Sequence, residues 1–507
     1  MSDTDPVSVL IGGADGKHVS LNAKMANRHG MIAGATGTGK TITMQILAEG
    51  FSRAGVPVFL ADVKGDVSGL SMQGKPHPKI DERLESIGIE DFQLRGNPVV
   101  FWDMYGEKGH PVRTTITELG PLLIANLLGL TDAQEGVLYA AFKIADEEGL
   151  SLLDLEDLQA LLGWMSENRK QLVGEYGNFT SASIGSIQRD LLVLEEQGGE
   201  ILLGEPALNL DDMMKVDFSG QGVISIMDVT TVMNKGPKLY STFLLWMLSE
   251  LFENLPEVGD QDKPKFVMFF DEAHLIFDDA PKALLDKIEQ VVRLIRSKGV
   301  GIYFVSQSPM DIPEDVLGQL GMKIQHALRA FTPKEKKAVR IVAENFRANP
   351  DLDSVAAITD LGVGEALVSV LNENGAPTMV ERTLIRPPQS RIGPVSDRER
   401  KTVVSRSPIF GRYEEAINRE SAKELLKARA DEKMKKLAEQ EAQQQAEEKA
   451  EKQRKAQEKA AKKPRKKSSG YQRQTATEAL MKSLARSLGG EGGRLLRGVL
   501  GSLLGRK

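Results

Sequence analysis

The sequence contains no cysteine among its 507 residues, which excludes a disulfide framework and a thiolate metal site. It also contains no run of about 18 or more apolar residues, so no membrane-spanning helix is expected. The N-terminal stretch MSDTDPVSVLIGG has no basic region followed by a long apolar run, so no signal peptide is expected. These absences fit a reducing cytosol, and we expect a cytoplasmic location.

The residues that are present supply enough apolar material for a large core. Hydrophobic residues make up 41% of the chain, and its length corresponds to about two to four domains.

The net charge of −6 is unevenly distributed. Residues 421–507 contain 23 Lys and Arg against 11 Asp and Glu, a net charge of +12, which leaves −18 for the rest of the chain. Any general affinity for polyanions is therefore expected mainly in the tail.

Apolar runs and helical patterns alternate in a way that predicts an α/β fold with a mostly parallel sheet. The stretches GMIAG, VPVFLAD and NPVVFWDM in residues 27–104 are typical of buried strands, and a helical pattern follows the first. Residues 111–214 show about four helical patterns, after which GVISIMDV, KFVMFFDEAH and GVGIYFVSQSP resume as strands. The predicted domains are residues 1–110 and 216–398 for the two parts of the core, 111–215 for an α-helical insertion, and 399–507 for a charged C-terminal arm.

The C-terminal arm differs from the core in composition. Residues 422–467 are rich in Ala, Glu, Lys and Gln and lack a sustained apolar heptad. This pattern favours a solvated single helix or a disordered arm over a two-stranded coiled coil. The basic segment KKPRKKS (462–468) would either bind phosphates or serve only as a solubilising tail. The Leu- and Arg-rich end (479–507) is a candidate amphipathic helix, although its glycines disfavour a stable isolated helix.

The stretch GATGTGKT (34–41) matches the phosphate-binding pattern G-x-x-x-x-G-K-[ST]. Its glycines let backbone N–H groups turn toward one point, and the following helix adds its free N-terminal donors. Lys40 would reach the β- and γ-phosphates of ATP, and the Thr41 hydroxyl would bind Mg²⁺. A glycine-rich turn that matches by chance is the alternative, but it leaves the flanking strand and helix unexplained. The residues expected to bind nucleotide are Gly34, Ala35, Thr36, Gly37, Thr38, Gly39, Lys40, Thr41 and Ile42.

A P-loop enzyme also needs acids that hold Mg²⁺ and prepare a water molecule, and KFVMFFDEAH supplies two at the end of an apolar strand. Asp271 suits the magnesium ion, and Glu272 suits activation of the attacking water. Gln307, at the end of the strand GIYFVS, would sense the γ-phosphate. The alternatives are that the two acids cap a helix and that the glutamine caps a turn. The letters DEAH also occur in DEAH-box RNA helicases, but the second RecA-like core of that class is not found.

The turn residues Asp62, Lys64 and Asp66 follow the next strand after the P-loop helix. Together with the P-loop, the Asp–Glu pair and the glutamine strand, this order resembles the HerA/FtsK superfamily of RecA-like motor ATPases. Over residues 5–415 the chain is similar to the bacterial YjgR-like group of HerA-like helicases. The resemblance implies a RecA-like P-loop NTPase core that hydrolyses ATP with Mg²⁺. The stretches that carry it are MANRHGMIAGATGTGKT, VPVFLADVKGD, GEKGHPVRTT, FFDEAHLIF, RLIRSKGVGIYFVSQSP and QHALRAFTPKEKKAV.

Motors of this superfamily act as rings, so the resemblance implies a homo-oligomer, a hexamer, in which a neighbour's arginine completes each active site. We expect Arg329 to be that residue, because the superfamily tends to place an arginine after the strand that follows the glutamine. Arg296 and Arg113 are the alternatives. Each of the three would otherwise form only a surface ion pair.

The sequence thus predicts an ATPase with Lys40, Glu272, Gln307 and Arg329 as catalytic residues and with Mg²⁺ held by Thr41 and Asp271. The expected function is that of a ring-shaped translocase or helicase acting on DNA. An ATPase that moves protein, as in secretion, is one alternative, and a nucleotide-gated assembly scaffold is another. The sequence does not indicate a particular protein partner.

Overall fold

The computed structural model describes residues 7–14, 16–259, 261–278 and 282–461. The chain divides into two compact units, residues 1–430 and 431–507. The first unit contains the sheet and the helices packed on it, and the described part of the second is helical. The basic segment 462–468 and the Leu- and Arg-rich end lie outside the described residues.

Twelve strands in these ranges form one sheet. They are β1 (Ser8–Ala14), β2 (Lys17–Asn22), β3 (Gly30–Ala33), β4 (Val58–Asp62), β5 (Val99–Asp103), β6 (His110–Pro111), β7 (Ile224–Asp228), β8 (Phe266–Phe270), β9 (Val300–Ser306), β10 (Met322–His326), β11 (Glu365–Ser369) and β12 (Glu381–Ile385).

Seventeen α-helices are found in the same part of the chain, and none of them is long and apolar enough to cross a membrane. They are α1 (Lys40–Arg53), α2 (Pro78–Ile87), α3 (Ile116–Leu128), α4 (Asp132–Glu148), α5 (Leu155–Glu167), α6 (Arg169–Tyr176), α7 (Ser181–Glu196), α8 (Gly199–Leu202), α9 (Thr230–Lys235), α10 (Pro237–Asn254), α11 (His274–Phe277), α12 (Lys282–Leu294), α13 (Glu314–Leu317), α14 (Pro333–Glu344), α15 (Ser354–Asp360), α16 (Asp397–Ser405) and α17 (Ala422–Ala461).

The strand order is β2-β1-β12-β11-β10-β3-β9-β8-β4-β7-β5-β6. From β10 to β6 all neighbouring strands are parallel, whereas β11, β12, β1 and β2 pair in antiparallel fashion at one edge. Helical connections between the parallel strands cover both faces of the sheet, which is the usual reason that such strands are buried throughout. The predicted α/β class with a mostly parallel sheet is confirmed.

Side chains alternate between the two faces of the sheet and so build two apolar layers. In β3, Met31 and Ala33 pack on the face that carries α3, α10 and α12, while Ile32 packs on the face that carries α1. In β4, Phe59 and Leu60 divide in the same way. The P-loop helix α1 is therefore enclosed by apolar contacts on one face, and its first turn is fixed relative to the strand ends.

Six helices, α3 to α8, lie between Ile116 and Leu202, where the sequence patterns predict about four. The additional ones, α6 and α8, have eight and four residues, too short for a helical periodicity to stand out. In the C-terminal arm, α17 is a helix of 40 residues, so the helical alternative holds for the described part of the arm.

His29 positions β3, the strand that leads into the P-loop. Its backbone has a φ of 58°, which is uncommon for a residue other than glycine. Its Nδ1 accepts a hydrogen bond from the N–H of Ile302 at 3.0 Å, which ties the entry of β3 to β9. Burial lowers the pKa of His29 to about 4, and the positive Arg296 contributes in the same direction. The ring is therefore neutral at pH 7.

We expect His29→Asn to reduce the acid sensitivity of the fold. The pKa of an unfolded histidine is about 6.5, so wild-type protein loses stability as the pH falls from 6.5 toward 4. Between pH 7.5 and pH 5 this loss is about 2 kcal/mol, at 1.36 kcal/mol per pKa unit. Asparagine tolerates the positive φ and keeps an acceptor but does not titrate. Chemical unfolding of both proteins at the two pH values measures the difference, and equal pH dependence would contradict the assignment.

Candidate active site

Three neighbouring strands deliver the predicted site residues to one edge of the sheet. The order β3-β9-β8 brings the P-loop, Gln307 and the pair Asp271–Glu272 side by side, because each follows the carboxyl end of a parallel strand. Ligands of open α/β sheets bind at this edge. The acid pair is not on the strand next to the P-loop, since the glutamine strand lies between them.

The P-loop turns sharply after β3 and ends where α1 begins at Lys40. Gly34 has a φ of 152°, and a Cβ there would lie 2.5 Å from the Cβ of His326, so only glycine fits. The loop is braced internally by the Thr38 hydroxyl, which donates to the carbonyl of Ala35 at 2.7 Å. The first N–H groups of α1 have no partners within the helix and are available to an anion.

Lys40 lies buried across the mouth of this loop. Its Nζ donates to the carbonyl oxygens of Gly34 at 2.5 Å and of Ala35 at 3.2 Å. Burial lowers the pKa of the Lys40 ammonium, and the nearby Lys64 adds to this, while the carboxylates of Glu272 and Asp271 oppose it. These contacts hold the ammonium against the first residues of the P-loop.

His326, which the sequence analysis does not single out, forms the wall behind the P-loop. Its Nε2 lies 2.8 Å from the hydroxyl of Thr43 on α1, and its Nδ1 lies 2.9 Å from the carbonyl of Glu365. Because that carbonyl can only accept, Nδ1 carries the proton and Nε2 accepts from Thr43. Burial lowers the pKa of His326 to about 4, so the ring stays neutral. The sequence carries no local signal for this role, because it arises from the pairing of β10 with β3.

The turn after β4 has the sequence Asp-Val-Lys-Gly-Asp (62–66), and its first aspartate holds it together. The carboxylate of Asp62 accepts hydrogen bonds from the N–H groups of Gly65 at 2.7 Å, Asp66 at 3.2 Å and Val67 at 3.3 Å. Gly65 has a φ of 76°, which the tight turn requires. Burial raises the pKa of Asp62 to about 7, against the lowering by these donors. The turn directs Lys64 toward the acid pair.

The carboxylate of Glu272 lies close to three other side chains of the site. Its Oε1 lies 2.8 Å from the Nζ of Lys64, and its Oε2 lies 3.5 Å from the amide nitrogen of Gln307 and from Nδ1 of His274. Burial favours a raised pKa, but the hydrogen bond and charge of Lys64 outweigh it, so the pKa of Glu272 lies below its usual value. The backbone of Glu272 has a φ of 47°, a strained conformation of the kind that concentrates at functional sites.

Asp271, in the acid pair, and Thr41, on the P-loop helix, offer hard oxygen atoms. Burial raises the pKa of Asp271 to about 6, although the positive charge of Lys64 opposes the shift. The Thr41 hydroxyl lies 3.4 Å from a carboxylate oxygen of Asp66. Among the described residues, no group of three or more His, Cys, Asp or Glu side chains forms a complete metal cage. Such a partial set suits Mg²⁺, which binds through one or two protein oxygens together with phosphates and water.

The three candidate arginines lie in different surroundings. Arg329 is exposed in the loop after β10, two residues beyond Ala327, whose carbonyl accepts from the N–H of Ala35 at 2.9 Å. Arg113 is buried and donates to the carbonyl of Tyr413 at 2.7 Å. Arg296 precedes β9, at the amino end of the parallel strands, and lines a cavity of about 340 Å³ with four other basic side chains, namely Arg28, Arg293, Lys323 and Arg347.

The structure therefore brings together Lys40, Asp271, Glu272 and Gln307, along with the rest of the predicted P-loop and Thr41. It leaves Arg329 at the surface near the loop and places Arg296 and Arg113 away from it. Two contributors lie outside the predicted site: Lys64, which the sequence indicates only as part of a turn, and His326.

This chain is similar to a known protein family and to several named proteins. The family described as helicase HerA-like C-terminal matches residues 8–507. The DNA double-strand break repair helicase HerA of Sulfolobus acidocaldarius is 21% identical over 394 residues, which cover 74% of this chain and 68% of that protein. A Methanocaldococcus jannaschii protein named "Probable helicase MJ1565" is 34% identical over 110 residues, 22% of this chain and 20% of its own length.

Among solved structures, that of VirB4 of Thermoanaerobacter pseudethanolicus superposes with a TM-score of 0.50 at 16% sequence identity. The match covers 76% of this chain and 98% of VirB4. At this level of identity the likeness shows a shared fold only.

Proposed function

Because this chain belongs to the helicase HerA-like C-terminal family, whose members are HerA/FtsK-type ATPase motors, we propose that it couples Mg²⁺-dependent ATP hydrolysis to the movement of DNA through a ring of its own copies. The observation that carries the proposal is the contact of Glu272 with Lys64 and Gln307 beside a P-loop. An acid held ionised next to a phosphate-binding loop is what hydrolysis of a phosphoanhydride requires.

The reaction follows from these positions. The N–H groups of the P-loop and the ammonium of Lys40 hold the β- and γ-phosphates. Glu272 accepts a proton from the water that attacks the γ-phosphorus, and its lowered pKa keeps it ionised and ready to accept at neutral pH. Gln307 would orient that water, since its amide nitrogen lies 3.5 Å from the carboxylate of Glu272.

Thr41 and Asp271 are the residues that would hold Mg²⁺ against the phosphates. The chemistry that the ion supplies is neutralisation of charge on the phosphate oxygens. Its fit rests on the donor set, the hydroxyl of Thr41 on α1 and the buried carboxylate of Asp271 after β8, which are hard oxygen ligands. Asp66, near Thr41, would be available to a bound water of the ion.

A ring assembly would add a positive charge from a neighbouring copy to each site. Arg329 is the residue we propose for this role in a neighbouring copy, because it is exposed and forms no hydrogen bond or ion pair within the part of the chain that the structure describes. A hexamer is the expected size. An arginine acting in trans would make hydrolysis depend on assembly.

DNA is the proposed cargo because a relative that matches most of this chain is named as a DNA repair helicase. The charge of −18 on residues 1–420 runs against DNA binding on the outer surface and is the observation that favours the alternative of a protein-moving ATPase. In either case the nucleotide chemistry is the same, so the cargo needs its own test.

We expect double- or single-stranded DNA to raise the ATPase rate of the full chain several-fold, because a translocase completes its cycle only when its track is present. The measurement is steady-state turnover with and without each DNA, at two salt concentrations, since phosphate contacts weaken with salt. The matched control is Lys40→Ala, which removes the phosphate ammonium and should leave only background turnover.

Unstimulated turnover within the common range of about 1 to 10³ per second would point instead to a protein cargo. Turnover below about 0.1 per second with every nucleic acid would favour the nucleotide-gated scaffold. Activity of Lys40→Ala equal to wild type would show that the hydrolysis comes from a contaminant.

A further inference from the structure

The insert between β10 and β11, residues 327–364, is attached to the P-loop at both of its ends. Because β10 runs parallel to β3, the insert leaves the sheet at the same edge as the P-loop. At its start, the carbonyl of Ala327 accepts from the N–H of Ala35 at 2.9 Å. At its end, the N–H of Gly364 donates to the carbonyl of Thr38 at 3.0 Å. A molecule bound by this insert would therefore lie beside the candidate active site.

The two helices of the insert, α14 and α15, pack on a small core that is separate from the two layers of the sheet. Val339 and Val342 of α14 face this core, whereas the opposite side of α14 faces solvent. The core is completed by Phe346, Ala357, Ile358, Leu361, Leu367 and Val380. The solvent-facing side of α14 is thus fixed in position and open to another molecule.

Positive charge is concentrated on this solvent-facing side. Residues 331–340 contain four Lys and Arg against one Glu, a net charge of +3, although residues 1–420 as a whole carry −18. All four cations are exposed, and none of them forms an ion pair within the part of the chain that the structure describes. They are Lys334, Lys336, Lys337 and Arg340. Unpaired cations grouped on one side of a helix attract the phosphates of a nucleic acid.

Phe331 adds an aromatic ring next to these cations. Its side chain is 81% exposed, which is unusual for a large apolar residue. Its backbone is held in place, because the carboxylate of Glu335 accepts from the N–H groups of Phe331 and Thr332, both at 2.8 Å. The one acid of the segment is thereby engaged in the cap of α14. Aromatic rings exposed beside positive charge are the surfaces on which the bases of a single strand stack.

We propose that this surface, residues 331–340, binds single-stranded DNA, with the ring of Phe331 stacking on a base and the four cations contacting backbone phosphates. A single strand is favoured over a duplex because a base can stack on the ring only when one of its faces is free. The inference rests on the proposed function, since it names the surface that would hold the DNA moved by the ATPase. Arg329 is not part of this surface, because its proposed place is a neighbour's nucleotide site.

The experiment compares a strand that has bases with one that has only the backbone. The affinities of a single-stranded oligothymidylate and of an abasic strand of the same length are measured by fluorescence anisotropy on the full chain. We expect Phe331→Ala to bind the oligothymidylate about tenfold more weakly, and to bind the abasic strand within about twofold of wild type. Phe218→Ala, at a fully exposed phenylalanine in the turn before β7, is the matched control.

The cations of the surface are tested with Lys334→Gln/Lys337→Gln, which removes two charges and keeps good helix formers. Both strands should bind more weakly. The slope of log affinity against log salt should fall by about 1.4, at about 0.7 for each phosphate contact of a single strand. Lys17→Gln/Lys24→Gln, at two exposed lysines on β2 and after it, is the matched control and should leave the slope unchanged. Binding by the basic arm is common to all of these variants and does not affect the comparison.

The remaining outcomes separate this inference from the proposed function. If wild type binds the oligothymidylate and neither variant differs from it, the inference is overturned, the DNA motor stands, and the surface is left to a partner protein. Equal loss for both strands in Phe331→Ala also overturns it, because the ring then acts through the fold, which thermal unfolding would show. If wild type binds neither strand, the DNA cargo of the proposed function fails together with the inference.

Discussion

Glu272→Gln is expected to lower the rate of ATP hydrolysis by about a hundredfold or more while leaving ATP binding close to wild type. General base catalysis by a positioned side chain contributes about 10² to 10⁴ to a rate, and a glutamine cannot accept the proton. In the proposed site the phosphates are held by the P-loop and Lys40, which keep their contacts in this variant. Turnover and nucleotide affinity, measured on the same preparation, separate the two effects.

The substitution Glu272→Gln removes the charge at this position with little change in the local structure. Glutamine has the shape of glutamate, so the contact with Gln307 and the strained backbone at a φ of 47° remain. Lys64 loses its partner but is 39% exposed and is rehydrated at little cost. Glu314→Gln, on the short surface helix α13, is the control that changes a carboxylate to an amide outside the site. Hydrolysis equal to wild type in Glu272→Gln would remove this residue from the chemistry.

The same variant provides a test of Arg329. Arg329→Ala and Glu272→Gln should each be inactive alone. In a mixed assembly, some sites combine the intact Glu272 of one copy with the intact Arg329 of its neighbour, so part of the activity returns. A mixture that is as inactive as its two components would mean that Arg329 does not act in trans.

The site residues that the sequence predicts are those that lie shortly after predicted strands. Lys40, Asp271, Glu272 and Gln307 each lie within a few residues of an apolar run. Since the carboxyl ends of parallel strands meet at one edge, recognising the strands is enough to bring these residues together. The order of the strands in the sheet cannot be predicted in this way. Because β9 lies between β3 and β8, Gln307 lies between the P-loop and the acid pair.

Other contributors depend on contacts that no local pattern records. His326 packs behind Gly34 only because β10 lies beside β3, and nearly 300 residues separate the two in the chain. Lys64 reaches Glu272 because the carboxylate of Asp62 folds the turn between them. The positive φ of Glu272 arises from tertiary structure and has no sequence signal, since glutamate does not favour it.

The antiparallel edge of the sheet is also absent from the sequence prediction. Its strands β11 and β12 have five residues each, and β12 begins with two exposed charged residues, Glu381 and Arg382. Short strands of this composition are ambiguous by periodicity alone. Yet this edge contacts the P-loop, because the N–H of Gly364, just before β11, donates to the carbonyl of Thr38 at 3.0 Å.

A buried charged cluster fixes the segment after β12 (386–391) to the P-loop helix α1, and Glu49→Ala is expected to disrupt it. Glu49 on α1 is fully buried, and its Oε1 accepts from the N–H of Ser390 at 2.8 Å. Its Oε2 accepts from the N–H of Gln389 at 3.1 Å and lies 3.3 Å from Nη1 of Arg386. Arg386 in turn donates to the carbonyl of Ile46 at 2.8 Å.

Removing one partner of a buried ion pair leaves the other charge without compensation, which costs about 3–5 kcal/mol. We therefore expect Glu49→Ala to lower the free energy of unfolding of the first compact unit by about that amount, as measured by chemical denaturation. Glu344→Ala, at the exposed end of α14, is the control and should change it by less than about 0.5 kcal/mol. Equal stability of the two variants would mean that water or a local shift replaces the carboxylate.

The same substitution connects stability to ligand binding. Glu49 holds residues 386–391 against α1, the helix whose first turn is proposed to bind phosphate. Most of these residues line a cavity of about 570 Å³ together with Gly39 and Ile42 at the start of the P-loop helix. Loosening this segment should therefore weaken ADP binding as well as the fold, and calorimetry on Glu49→Ala measures the loss. Unchanged ADP affinity in this variant would mean that the cluster stabilises the fold without affecting the nucleotide site.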